Sequence, residues 1–123
     1  MVKGIGIDIL EVSRIKGVYE KFPLRFRSRI LTQREQNYIF SKNNPWPNLA
    51  GRFAAKEAVM KSLGAGWGKV GFLEVEVVND QAGKPLVILS GKAAILAEQT
   101  EISEILVSIS HDEKYAVAQA MAV

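Results

Sequence analysis

A helical segment that is apolar or small on nearly every side has to be buried, and residues 53–63, FAAKEAVMKSL, read as one. Phe53, Ala55, Val59, Met60 and Leu63 cover one broad arc of the helical wheel. Ala54, Ala58 and Ser62 cover most of the remainder. Three charges interrupt it: Lys56, Glu57 and Lys61. Glu57 and Lys61 are four residues apart and share an edge. On an ordinary exposed helix such a pair contributes about 0.2–0.5 kcal/mol and has no further role. Here small residues flank that edge, which argues for more than a solvated pair.

A second acid stands in equally apolar company. In GIGIDIL, residues 4–10, strand alternation sends Ile5, Ile7 and Ile9 to one face and Gly4, Gly6, Asp8 and Leu10 to the other. An ionised acid is costly to bury without a partner. Glycine lets something approach the backbone closely, so the expectation is that Gly4 and Gly6 leave room for a ligand beside Asp8. Two carboxylates converging from a strand and a helix, with a lysine adjacent, suit a magnesium–phosphate site. Magnesium takes hard oxygen ligands at about 2.0–2.1 Å, commonly one or two carboxylates plus phosphate and water. Lysine then offsets phosphate charge.

Bulk properties narrow the alternatives. At 123 residues, one domain over 1–123 is expected. Apolar residues make up 48% and charged residues 24%, an ordinary soluble composition. There is no cysteine, which excludes disulfides and thiolate metal sites. A single histidine, His111, argues against a His-rich zinc centre. No apolar run approaches the roughly 20 residues of a membrane span. The first residues enter a strand pattern at once, unlike a signal peptide, so the expected location is the cytoplasm, with no membrane partner.

Along the chain, residues 2–10 read as a strand. Ser13 is placed to cap a short helix bearing Ile15, Val18, Tyr19 and Phe22, which Pro23 ends. RFRSRIL is ambiguous. Thr32 and Glu35 have capping-box spacing, predicting a helix from there to about Lys42. NNPWPN reads as a loop, with Asn48 capping the central helix and Gly64 as its left-handed terminator. GAGWGKVG, residues 64–71, reads as a connector. FLEVEVV and PLVIL are strands around the loop NDQAGK. Ser90 is placed to cap a short helix, and ILVSIS and YAVAQAMAV are the last two strands, joined by HDEK. Mixed hairpins and helices predict an α+β fold, with antiparallel strands packed against helices.

Two further features bear on function. Between Arg14 and Arg34 stand seven basic residues and one acid, Glu20, although the net charge of the chain is only +3. Such a patch attracts a polyanion or an acidic protein surface, or is simply a solvated face. SISHDEKYA brings Ser108, Ser110, His111 and Asp112 close in sequence. A Ser–His–Asp hydrolase is disfavoured, because triad members converge from separate parts of a chain and no Gly-x-Ser-x-Gly elbow is present.

Three blocks, GIGIDILEVSRI, GRFAAKEAVMKSLGAG and SISHDEKYAVAQA, together resemble the holo-acyl-carrier-protein synthase family of phosphopantetheinyl transferases, in the family's order and over almost the whole length. The resemblance implies a phosphopantetheinyl transferase-like α+β fold. It also implies magnesium-dependent transfer of phosphopantetheine from coenzyme A to a serine of apo acyl carrier protein, releasing adenosine 3',5'-bisphosphate. It implies a homotrimer with sites between subunits. Carried over by motif, Asp8 and Glu57 would be the magnesium ligands, and Lys61 would lie by the pyrophosphate. Arg52 would face the nucleotide's phosphates, and Gly83, Lys84, Pro85 and His111 would help hold the nucleotide. Arg14, Arg25, Arg27 and Arg29 would dock the acidic carrier, with Phe26 as an apolar contact. Glu57 is the first candidate for the base that takes the serine proton and His111 the second.

Two rival readings use the same residues. A basic nucleic-acid-binding module needs only the arginines and leaves Asp8 and Glu57 unexplained, because acids repel phosphate unless a cation intervenes. A magnesium-dependent phosphohydrolase would use the same carboxylates with water as acceptor.

Overall fold

The computed structural model describes residues 1–65 and 68–123. Strand β1 (Gly4–Glu11) leads into three short helices, α1 (Val12–Lys21), α2 (Pro23–Ile30) and α3 (Gln33–Phe40). The long helix α4 (Trp46–Ser62) follows. A 3₁₀ turn at Phe72–Glu74 opens the hairpin of β2 (Val75–Asn79) and β3 (Pro85–Leu89). Helix α5 (Gly91–Gln99) and the hairpin of β4 (Ile105–His111) and β5 (Tyr115–Ala122) complete the chain. The strands form two antiparallel sheets, β1-β5-β4 and β2-β3, so the α+β expectation holds.

Helix α4 organises both cores. Ala54, Ala55, Ala58 and Val59 are fully buried, as the all-round apolar wheel requires. One side packs with Ala118 and Ala120 of β5, Val75 and Val77 of β2 and Ala93 of α5. The other side closes a second cluster with Ile15 and Tyr19 of α1, Phe26 of α2 and Ile39 of α3. Small residues on both partners bring the helix close to the sheet. A Cβ at Gly6 would overlap the carbonyl oxygen of Ala58, and one at Gly4 that of Ser62. The two glycines therefore admit α4 itself, and the expectation that they leave room for a ligand is corrected: the helix backbone occupies that space.

The opposite face of this sheet is open. Ile5, Ile7 and Ile9 are 64%, 62% and 64% exposed. Register places Met121 and Val117 of β5 beside Ile5 and Ile9, and Leu106 of β4 beside Met121. The strand read as buried is thus covered on one face within the chain.

Helix ends follow local chemistry in some places and not in others. The Thr32–Glu35 capping box forms as spaced. Gly64, at φ +70°, ends α4 with its N–H on the Lys61 carbonyl, and the Ala65 N–H bonds that of Met60. Ser13 and Asn48 do not cap: α1 already begins at Val12 and α4 at Trp46, after Pro45. Prolines fit a first helical turn, which needs no N–H donors, so part of NNPWPN is helix rather than loop. The same effect puts Pro23 first in α2 and makes RFRSRI helical. Phe72–Glu74 is a 3₁₀ turn, so the second strand starts only at Val75. Ser90 stands at the N-cap of α5, but the Glu74 carboxylate, not its hydroxyl, accepts from the Lys92 N–H. Of the 64–71 connector, Gly66 and Trp67 lie outside the described residues.

One buried ion pair ties the layers together. Lys56 Nζ lies 2.7 Å from Glu35 Oε1, both side chains fully buried. The ammonium also donates to the carbonyls of Phe72 (2.8 Å) and Val75 (2.9 Å), and Glu35 accepts from the N–H groups of Thr32 (2.8 Å) and Val77 (2.9 Å). Burial pulls the Lys56 pKa down and Glu35 opposes that. The pair thus joins α3, α4 and β2 in one hydrogen-bonded unit.

Gly6→Ala should lower unfolding stability by about 2–3 kcal/mol in urea titration, since the methyl must push α4 off β1. A loss under about 0.5 kcal/mol, the scale of a neutral surface change, would mean that the helix is not seated there.

Candidate active site

Two clusters of polar side chains stand on different sides of α4. The first joins β1 to α4. Asp8 faces the helix side of the sheet, with its side chain 18% exposed. Lys61 Nζ lies 3.4 Å from Asp8 Oδ1 and donates to the Ile7 carbonyl at 2.8 Å. Asp8 Oδ2 is buried and has no hydrogen-bond partner among the described residues. Glu57, one turn before Lys61, is half-buried, and its pKa is raised by burial first and by the Asp8 charge second, against a smaller opposing pull from Lys61. Two acids and one lysine thus converge as the spacing predicts. The arrangement has an electrostatic deficit: an orphaned carboxylate oxygen beside a carboxylate that resists ionisation. A hard cation fits that donor set. Among the described residues no group of three or more His, Cys, Asp or Glu could hold a metal, so a cation here would take its other ligands from substrate and water.

The second cluster lines a cleft of about 370 Å³ between α4, the β2–β3 hairpin and β4. Arg52, Asn79, Gly83, Lys84, Pro85 and His111 border it. Arg52 is only 5% exposed. Its guanidinium lies 4.5 Å from the centre of the Tyr38 ring, one of its amino groups donates to Asn79 Oδ1, and its Nε has no partner among the described residues. Burial lowers the Arg52 pKa while Tyr38 and Glu35 oppose that, and an arginine remains charged. His111 closes the cleft beside Gly51, where a Cβ would stand 3.6 Å from its ring. Gly83, at φ +87°, forms the tight turn of the hairpin.

The helix separates the clusters. Glu57 is five residues beyond Arg52, about 140° around α4, and Lys61 is nine beyond, about 180°. Asp8 stands on β1 and His111 on β4, the two edges of a three-stranded sheet with β5 between them. At about 4.8 Å per strand those edges are about 10 Å apart. No described cleft is lined by Arg52 together with Asp8 or Glu57.

The basic face is less uniform than its sequence. Arg14, Arg25 and Arg29 are exposed, but Arg27 is drawn into the fold, donating to the Tyr19 hydroxyl at 2.6 Å and lying 4.0 Å from the centre of the Phe40 ring. Phe26, expected as an apolar contact among the arginines, is 6% exposed and packs edge-on to Tyr19, so it belongs to the core. The exposed large apolar residues of this segment are Val18, Phe22 and Leu24, at 46%, 53% and 82%. Sequence reading also missed Asn79 and Tyr38. Asn79 sits in a loop-like NDQAGK, and Tyr38 meets Arg52 only through packing of α3 on α4.

Comparisons with known proteins show the family. Residues 4–120 match the model of the 4'-phosphopantetheinyl transferase superfamily. A holo-[acyl-carrier-protein] synthase of Caldanaerobacter subterraneus is 46% identical over 119 residues, covering 97% of this chain and 93% of its own. The crystal structure of the Neisseria meningitidis holo-[acyl-carrier-protein] synthase superposes with TM-score 0.90 at 35% identity, over 100% of this chain and 99% of that one. The Bacillus anthracis enzyme, solved in complex with CoA (3',5'-ADP), superposes with TM-score 0.81 at 42% identity, over 99% and 96% of the two chains. The shared fold, near-complete coverage and high identity have one meaning: the chain belongs to the 4'-phosphopantetheinyl transferase superfamily and, within it, to the holo-acyl-carrier-protein synthases.

Proposed function

We propose that the two clusters act on one coenzyme A molecule from two neighbouring copies of the chain. The carboxylate cluster of one subunit and the arginine cleft of the next would together hold the coenzyme for transfer of its phosphopantetheine to an acyl carrier protein. The observation that carries this reading is the separation of Arg52 from Asp8 and Glu57 by the width of α4. A substrate whose diphosphate and nucleotide phosphate both need protein charge would not be served by either cluster alone. The apolar face of Ile5, Ile7 and Ile9, exposed in the single chain, supports burial against further copies in a closed ring of three. The rival readings gain nothing from the comparisons.

In the transfer, the carrier's serine oxygen bonds to the phosphorus of the phosphopantetheine. The bridging P–O bond of the diphosphate breaks, and adenosine 3',5'-bisphosphate leaves with that electron pair. The serine proton goes to a base. Glu57 stands first as that base, through the carboxylate oxygen a cation leaves free, and His111, brought by the neighbouring subunit together with Arg52, stands second. Asp8 and Glu57 would hold magnesium, which when bound supplies charge neutralisation at the diphosphate. Lys61 would move from Asp8 toward phosphate oxygens. Arg52, Lys84 and His111 would fix the nucleotide end, leaving positioning and charge to do most of the catalysis.

The exposed Arg14, Arg25 and Arg29 would steer the acidic carrier, with Phe22 and Leu24 in the apolar role first assigned to Phe26. No described helix is long and apolar enough to cross a membrane. A cytoplasmic location remains part of this proposal.

Three measurements check these points. With coenzyme A, magnesium and apo carrier, mass spectrometry should show the carrier gain one phosphopantetheine; nucleic-acid binding or free phosphopantetheine in its place would support a rival. Asp8→Ala and Arg52→Ala should each be inactive, and subunits mixed one to one should recover roughly a quarter of wild-type activity, because one interface in four then pairs two intact halves. No recovery on mixing would place both clusters in one subunit's site.

The third concerns stability. Since the Glu57 pKa is raised on folding, its ionised form costs stability at neutral pH. That cost fades as pH falls through the raised pKa toward the ordinary value. Metal-free Glu57→Gln should therefore melt above metal-free wild type at pH 7, with the gap closing near pH 4.5. Magnesium should raise the melting temperature of wild type and not of the variant. Equal magnesium stabilisation of both proteins would remove Glu57 from the metal site.

A further inference from the structure

Among the described residues Arg52 is the only arginine bordering the cleft, and it hydrogen-bonds a neutral neighbour. Asn79, the last residue of β2, accepts from the Arg52 guanidinium through Oδ1 and donates through Nδ2 to the Gly83 carbonyl at 2.9 Å. The turn it reaches is already closed by its own bonds. Gly83 N–H donates to the Asp80 carbonyl at 3.0 Å, and Asp80 Oδ1 accepts from the N–H groups of Ala82 and Lys84 at 2.9 Å each. Asn79 therefore couples a buried cation on α4 to a rigid turn carrying a second cation, Lys84. The guanidinium also lies over the Tyr38 ring, which lines the same cleft. Among the described residues nothing accepts from its Nε, and the residue is 5% exposed.

The choice of amide over acid has a chemical consequence. An aspartate at 79 has the same shape, but it would form an ion pair with Arg52 and cancel the charge that an anion needs. It would also place a carboxylate oxygen against the Gly83 carbonyl, where a donor is required. An amide satisfies both neighbours and leaves Arg52 with its full charge. We infer that Asn79 is a positioning residue for anion recognition. It aims Arg52 and the Gly83–Lys84 turn at one phosphate of the nucleotide end of the coenzyme without neutralising the arginine. The inference rests on the proposed function for the identity of that nucleotide.

Asn79→Asp and Asn79→Ala test it against wild type, with adenosine 3',5'-bisphosphate as the binding probe in calorimetry and coenzyme A as the kinetic substrate. Asn79→Asp should bind the bisphosphate about tenfold or more weakly and raise KM for coenzyme A by a similar factor, with kcat within about threefold, because the lost interaction is a charge-assisted one. Asn79→Ala should fall between that variant and wild type, since it frees the arginine without neutralising it. A merely structural residue would give the reverse ranking, with alanine worse than aspartate and losses that follow melting temperature. That ranking, or bisphosphate binding by Asn79→Asp within twofold of wild type, overturns the inference. Should Asn79→Asp fail to fold, bisphosphate binding by Asn79→Ala decides: about threefold weaker supports positioning and unchanged binding refutes it. If wild type binds the bisphosphate and the variants do not, yet no carrier is modified, the positioning role stands and the transferase reading fails.

Discussion

The seating of α4 on β1 and β5 sets every distance that matters in this molecule. Gly4 and Gly6 remove two side chains from the strand, and Ala116, Ala118, Ala120 and Ala122 keep the neighbouring strand low. The helix can then lie with its backbone almost on the sheet. That closeness brings Asp8, from the strand, level with Glu57 and Lys61, from the helix. Side chains of ordinary size would part the carboxylates. The same closeness presses Gly51 against Ile109 and His111, which forms the wall of the arginine cleft.

Charge is distributed around this helix with a purpose at each position. Lys56 is fully buried and entirely engaged, holding Glu35 and two carbonyls of the β2 region. Replacing one member of such a pair leaves an uncompensated ion in the core, which typically costs about 3–5 kcal/mol. Arg52 is buried but left with an unused donor, and Glu57 is half-buried in a form that resists ionisation. Lys56 thus stabilises the fold. Arg52 and Glu57 leave electrostatic demand unmet, which is a mark of ligand-binding groups.

Much of this was legible in the residues. The Thr32–Glu35 box and Gly64 each encode a local outcome that needs no tertiary partner, and the all-round apolar wheel of 53–63 demands burial whatever covers it. Asp8 and Glu57 stood out because an acid in apolar company is chemically expensive. What escaped depends on contacts between distant segments. Glycines in a strand announce close approach, but not that a helix makes it. The Lys56–Glu35 and Arg52–Asn79 pairs exist only after α3 and β2 dock on α4. Phe26 among arginines looks like a surface anchor until helix periodicity turns it inward, and RFRSRIL hides that periodicity behind alternating charge. Ser13 and Asn48 fail as caps because each helix begins earlier, one directly from a strand and one at a proline.

The central claim is that one coenzyme is gripped by two subunits. A crystal structure with coenzyme A and manganese, located by its anomalous signal, tests it most directly. The account predicts the ion between Asp8 and Glu57 of one subunit, with Arg52 of the adjacent subunit on the same coenzyme molecule. An ion away from those carboxylates, or a coenzyme whose diphosphate and nucleotide phosphate are both held by a single chain, would contradict it.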